Sequence, residues 1–415
     1  MSNPSGSGRT AAPALLLRPR AADRALLWKA NGLFRGYHLA ANQSDAVTSV
    51  VRGYGKPFLV DPQTSIFGVP PSRHFDTERR ALRTTSATLA RAYGEPFSSI
   101  VGVRKLAPED LADAQTLEAA VSRVLGYQRD KALGQMGLPL DPYYDKYRLW
   151  DNESGSGGLI PQVLIPPYFY FRGTSDPWLT VNLSAARRAL DLRRGQARVY
   201  PVILFSERLL DDEAAVSAMA AAFLSVPFDG YLLWPNRFDE ARQAPERLRA
   251  LGVLVSRLAA SGRPVSKLYG GYWSVLMGPR GLGGVSCGLG YLSSRNAFAY
   301  GGRNGRTVKN YYVPQLHLSL PLEDAFRMLE AEPKLQCDCE VCSEAYGRRT
   351  ERFFAMSEGS RCEAHFLNAR RDELNRVASA GTRGAIEELR ETRRRLKASR
   401  VSTDFLDSWI RALAS

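Results

Sequence analysis

Three cysteines within six residues, Cys337-Asp-Cys339-Glu-Val-Cys342, constrain this chain more than any other feature. A knuckle that short can turn three thiolates toward one point, and a ligand from a following helix then closes a tetrahedron around a metal ion. His365 is the best fourth ligand. Cys362 competes with it, one helical turn earlier on the same segment. Four soft or borderline donors with no open position specify a structural site, and zinc, one ion per chain, suits it best. Buried free thiols beside an ordinary histidine are the bland alternative. Yet four of only five cysteines fall between positions 337 and 362, a clustering that chance seldom gives and that suits a reducing compartment better than a disulfide framework.

The remainder reads as a mixed α/β chain. Its 415 residues are 44% apolar, enough for a large core. No uninterrupted apolar run of about 18 residues occurs, and the N-terminus lacks the charged and apolar regions of a signal peptide, so a cytoplasmic protein is expected. Residues 1–20 read as a flexible leader, 21–330 as a βα series, and 331–415 as a zinc-binding subdomain with a basic C-terminal helix. Short apolar runs bounded by Gly and Pro predict strands at Pro57–Val60, Gln162–Phe171, Val199–Phe205, Gly230–Trp234 and Val265–Tyr269. Between them Asp211–Leu224 carries acidic residues in its first turn, and Ala241–Ala260 spaces Leu248, Leu251, Leu254, Val255 and Leu258 as a helix does. Such a series favours a (β/α)8 TIM-type barrel or a doubly wound sheet, and the lack of G-x-G-x-x-G after an early strand counts against a dinucleotide fold.

Lys and Arg total 56 against 42 Asp and Glu, a formal charge of +14 that attracts polyanions, nucleic acid first among them. A solvated Arg-rich surface is the competing meaning. From Ala378 onward, Arg and Glu with spaced Leu form a charged helix whose basic face could meet a phosphate backbone.

The cysteine spacing followed by His365 resembles the zinc signature of the tRNA-guanine transglycosylases. Pro57-Phe-Leu-Val-Asp61 resembles that family's strand ending in an aspartate, Phe228-Asp-Gly-Tyr231 its Phe-Asp-Gly-Tyr strand, and Gly284–Asn296 its strand leading to Thr-Arg-Asn. The resemblance implies a (β/α)8 barrel with a zinc-bearing segment near its C-terminal end. It also implies base exchange: an aspartate attacks the anomeric carbon, guanine leaves, and a 7-deazaguanine base takes its place. Carboxylates at the barrel mouth are then required, and Asp61 is the expected catalytic one.

The chain also departs from the family. Leu289 stands where an ungapped alignment expects the nucleophilic aspartate, and residues 281–291 contain no carboxylate. Glu207 is the best substitute, with Asp176 behind it; Cys287 lacks a visible base and reads as a core residue. Trp234, Asn236, Gly270 and Gly271 replace the family's small binding loops and are the expected base-binding residues. Val60-Asp-Pro-Gln-Thr64 and Tyr311–His317 look most like the DNA 7-deazaguanine transglycosylase branch, which inserts a base such as 7-cyano-7-deazaguanine into DNA. DNA and a 7-deazaguanine base are therefore the expected partners, with homodimerisation open. A tRNA enzyme, or a non-catalytic nucleic-acid-binding paralogue that partners an active subunit, is the alternative.

Overall fold

The computed structural model describes residues 13–20, 23, 26–27, 30–42, 51, 56–76, 81–133, 163–193, 197–290, 293–298, 309–397 and 401–414. Residues 1–12 of the expected leader, Gln162 of an expected strand and Tyr291 lie outside these.

Nine strands form one strongly curled parallel sheet: β1 (Ala14–Leu17), β2 (Gly36–Ala40), β3 (Phe58–Asp61), β6 (Val163–Leu164), β7 (Arg198–Val199), β8 (Val202–Ser206), β9 (Tyr231–Asn236), β10 (Val265–Lys267) and β11 (Leu282–Cys287). Two two-stranded antiparallel pieces accompany it, β4 (Phe75–Asp76) with β5 (Ala81–Leu82), and β12 (Asn310–Val313) with β13 (Leu318–Pro321). The large sheet runs β7-β6-β3-β2-β1-β11-β10-β9-β8. Its two end strands, β7 and β8, are consecutive in the chain and separated only by Tyr200 and Pro201, so the sheet curls far round on itself. β2, β3, β8 and β9 are buried at every position, which is why these strands read as apolar runs and not as alternations.

Crossover helices cover the outside: α3 (Ala114–Leu133), α4 (Pro177–Leu192), α5 (Glu213–Leu224) and α6 (Pro245–Ala259), after the shorter α1 (Thr84–Tyr93) and α2 (Phe97–Ile100). Local chemistry fixes their starts. Asp176 caps α4 by accepting from Trp178 N, ahead of Pro177 in the first turn, and Asp212 caps α5 by accepting from Ala214 N and Ala215 N. The five aliphatic residues picked out on α6 are all buried. Asp176 is thus accounted for as a cap.

The short α7 (Tyr272–Leu276) links β10 to β11, and beyond the sheet come α8 (Leu322–Ala331), α9 (Glu340–Ala345), α10 (Arg361–Leu396, broken at Gly381) and α11 (Asp404–Ala414). A second small core joins Tyr311, Val313, Leu316, Leu322, Leu329, Cys342, Phe353 and Cys362, so this layer starts at the β12–β13 hairpin, before the boundary expected at 331. Leu374, Leu389, Leu406 and Trp409 from α10 and α11 return to the main core instead. The expected leader also needs correction, because Ala14–Leu17 pairs with β11 on one side and β2 on the other, deep inside the sheet. Leu15 and Leu17, both buried, hold it there.

Candidate metal centre and aspartate pocket

The knuckle and α10 bring the four expected ligands together. Donor atoms of Cys337, Cys339, Cys342 and His365 all lie within 4.8 Å of one another, and His365 Nδ1 is 3.3 Å from Cys339 Sγ and 3.4 Å from Cys342 Sγ. His365 Nε2 donates to Tyr312 O at 2.7 Å, which fixes the ring and leaves Nδ1 as the inward donor, the second-sphere arrangement of metal-bound histidines. Tyr311 stacks on the imidazole at 4.5 Å, and its hydroxyl meets Cys342 Sγ at 3.4 Å. Cys362 faces elsewhere and donates to Met356 O. The cluster can therefore hold one metal ion through three thiolates and one imidazole, without Cys362.

A second constellation stands at the carboxyl ends of β1, β2 and β3. Asp61, the last residue of β3, is fully buried. Its Oδ1 accepts from Tyr168 OH at 2.6 Å and Gln63 N at 3.0 Å; its Oδ2 accepts from Arg18 Nη1 at 3.4 Å and lies 3.4 Å from His38 Nε2. Gln63 reaches Asp61 because it takes a left-handed conformation, φ 56°, uncommon outside glycine. Arg237 (φ 59°) and Tyr269 (φ 58°), just after β9 and β10, share that strain on the same rim.

The protonation pattern follows from these contacts. Arg18 Nη1 donates to His38 Nε2 at 3.0 Å, so that nitrogen is the acceptor and Nδ1–H donates to Ser286 Oγ at 2.7 Å. Burial first, and then Arg18, push His38 down to about 4, so it is neutral at pH 7. Burial alone would raise Asp61, but the Arg18 guanidinium and the Tyr168 hydroxyl outweigh it and hold the carboxyl well below the usual range. Burial, reinforced by the Asp61 charge, raises Tyr168 well above its ordinary value, so its hydroxyl stays a donor.

Aromatic rings pack around this buried cluster. Trp234 and Tyr269 have ring centres 4.7 Å apart, and Tyr168 is 6.3 Å from Trp234. Arg295 lies 5.6 Å over Trp234 and 5.2 Å over Tyr269, whose hydroxyl it meets at 2.5 Å. Two arginines against one ionised carboxylate make the pocket cationic.

Other expected site residues fall apart from Asp61. Glu207 is half-buried after β8, where burial raises its pKa and its hydrogen-bonding partner is Gln243 Nε2 at 3.5 Å. No hydrogen bond or ion pair of Asp61 among the described residues involves a second carboxylate. Ser286, and not Leu289, is the β11 residue tied to this pocket; Leu289 is core. Asn236 is occupied by accepting from Ala297 N at 2.7 Å, which pins the segment bearing Arg295. Gly270 and Gly271 are needed for close packing, since an added Cβ would fall 2.6 Å from Ser274 Oγ and 2.8 Å from Glu240 Oε2 respectively. Cys287 is buried and its thiol is pushed up to about 11 by that burial, which makes it inert. Arg18, His38, Tyr168 and Arg295 were not foreseen from sequence. Two carried a signal: His38, as a histidine inside the apolar run Tyr37-His-Leu-Ala, and Arg295, within the segment that resembles Thr-Arg-Asn.

Comparison with protein-family models finds none that matches the chain, and comparison with curated proteins finds no match either.

Proposed function

We propose that the chain is a guanine-transglycosylase-type enzyme that exchanges guanine in DNA for a 7-deazaguanine base such as 7-cyano-7-deazaguanine. The observation that carries this proposal is Asp61: an ionised carboxylate at the carboxyl end of a parallel strand, clamped by Arg18 and Tyr168 and walled by Trp234 and Tyr269. Each oxygen is already held, so Asp61 serves best as fixed negative charge beside a sugar that becomes cationic as its base departs. The aromatic walls suit a planar base drawn out of its stack. In this proposal β7 and β8 act as one bent strand that closes the sheet into a (β/α)8 barrel, which puts Asp61 at the catalytic mouth. Zinc is the metal proposed for the Cys3His cluster, where it supplies folding free energy rather than chemistry.

That no second carboxylate touches Asp61 among the described residues favours one other reading, a non-catalytic paralogue that binds nucleic acid beside an active subunit. Incorporation of labelled 7-deazaguanine into DNA and, in parallel, into tRNA decides between them. Base exchange by the parent on DNA, lost by orders of magnitude in Asp61→Asn with the fold and metal content retained, is the expected result. Activity surviving in Asp61→Asn removes the assignment. A parent inert on both polymers but binding one of them selects the paralogue, and exchange in tRNA alone changes the substrate.

A further inference from the structure

Between the sheet and the metal-bearing layer lies a cleft of about 210 Å³, walled by Gly271 and Tyr272 on one side and by Tyr312, His317, Phe366 and Arg370 on the other. Its polar groups are unusual for so buried a place. Arg370 is 3% exposed; it lies 5.3 Å over both Tyr312 and Phe366, and its Nη1 is 3.0 Å from Glu373 Oε2. Yet Nε and Nη1 donate no hydrogen bond. A guanidinium carries five N–H donors, and burying it without acceptors is costly. Glu373 answers the charge of Arg370 but not all its donors: Oε1 is taken by Tyr312 OH at 2.6 Å and His317 Nδ1 at 2.5 Å, and Oε2, itself without a hydrogen bond, faces Nη1 alone.

Two further groups on the same wall lack partners: His317 Nε2, in a residue 4% exposed, and Tyr272 Oη, in one 1% exposed. The rings of these two residues stack face to face at 3.5 Å, and His317 adopts a left-handed φ of 56° at its turn. The nearby lysine adds no unmet donor, since Lys267 Nζ is held by Glu240 Oε1 at 2.9 Å and Tyr269 O at 3.0 Å. Asp239 and Arg242 pair with each other at 3.2 Å on the rim.

We infer that this cleft is a binding site for an oxyanion, a carboxylate or phosphate group gripped by Arg370 and Tyr272. An oxyanion offers several acceptors within a few ångströms, which is what the unmet donors require. The volume leaves room for a small organic body behind the charged group. The site is separate from Asp61 and does not rest on base exchange.

Titration calorimetry on the full-length chain tests it, with inorganic phosphate and with acetate as probes and chloride at equal ionic strength as control. Saturable heat at millimolar phosphate or acetate, absent with chloride, is expected, and the better probe identifies the group. Tyr272→Phe keeps the stack on His317 but removes the hydroxyl, and should weaken binding about 5-fold. The double variant Arg370→Met with Glu373→Gln removes both charges together, and the amide oxygen it introduces can still accept from Tyr312 and His317; binding should vanish while the fold survives. A short DNA duplex is the last arm: displacement of phosphate by DNA makes the source a backbone phosphate, and failure to displace makes it a small molecule. No saturable heat with either probe, or equal binding in the double variant, overturns the inference and leaves the cleft to water.

Discussion

His38 joins the Asp61 cluster to Ser286 of β11, and its chemistry sets a pH dependence. In the unfolded chain the imidazole binds a proton below about 6.5, while in the folded protein it stays neutral down to about 4. Between those values the unfolded state holds more protons, so stability falls as pH falls, by about 3 kcal/mol over the window. Asp61 acts in the same direction below its ordinary value of 3.8, since its folded pKa is lowered and its stabilising charge is lost on acidification. His38→Gln should flatten the acid limb of a denaturation-midpoint profile between pH 6.5 and 4. An unchanged limb would show that another group carries it. Asp61 was legible in the sequence because it ends an apolar strand before Pro62. Its partners were not, because Tyr168 stands 107 residues away and Ser286 stands 248 residues from His38. Contacts across a sheet leave no local pattern.

At the scale of elements, the knuckle was the most legible piece, since its geometry depends on a few adjacent residues and one helix. The choice of fourth ligand needed the structure: α10 turns His365 inward beneath Tyr311 and sends Cys362 to Met356 O. Cys339→Ser should therefore lose the metal and much of the stability with it, whereas Cys362→Ser should keep close to one metal ion per chain by elemental analysis. Metal loss in Cys362→Ser with retention in His365→Ala would reverse the ligand assignment. Strand boundaries were legible only approximately. The run expected at Val199–Phe205 divides at Tyr200-Pro201 into β7 and β8, because proline lacks the N–H that a continuous ladder needs. β1 was missed because it is only four residues long and follows a polar, Gly- and Ser-containing stretch, so that residues 1–20 read together as a leader. The charged segment after Ala378 is helical as expected, but α10 breaks at Gly381, φ 63° and ψ −167°, a conformation other residues adopt only with strain. Gly381→Ala should cost about 1–3 kcal/mol in denaturant unfolding without touching metal content.

For the whole molecule, the proposed binding of DNA raises the question of which part of a +14 surface would face it. The C-terminal arginines are poorer candidates than their run implies, since Arg393 is paired with Asp407 at 2.6 Å and Arg394 with Glu391 at 2.7 Å. Both sit on a face whose charge is largely balanced within α10 and α11. Around the Asp61 rim the situation differs. Arg172 follows Phe171, which bridges to β8; Arg208 follows β8; and Arg237 follows β9. All three are exposed, at the same carboxyl end of the parallel strands as Asp61, and among the described residues none has a carboxylate partner within ion-pair distance. Under the proposed function, DNA that presents one nucleotide to Asp61 would lay its neighbouring phosphates across this edge. Replacing Arg172, Arg208 and Arg237 by Ala should weaken DNA binding without sequence preference and lower the steepness of log affinity against log salt by about 0.9 for each phosphate no longer neutralised. The matching replacement of Arg393, Arg394 and Arg395 should change that slope little, because two of the three charges are already answered by carboxylates. Fluorescence anisotropy of a labelled duplex across a salt series reads both variants in one experiment. A slope that drops for the C-terminal triplet and stays for the rim would place the polyanion on the helical face and detach it from Asp61.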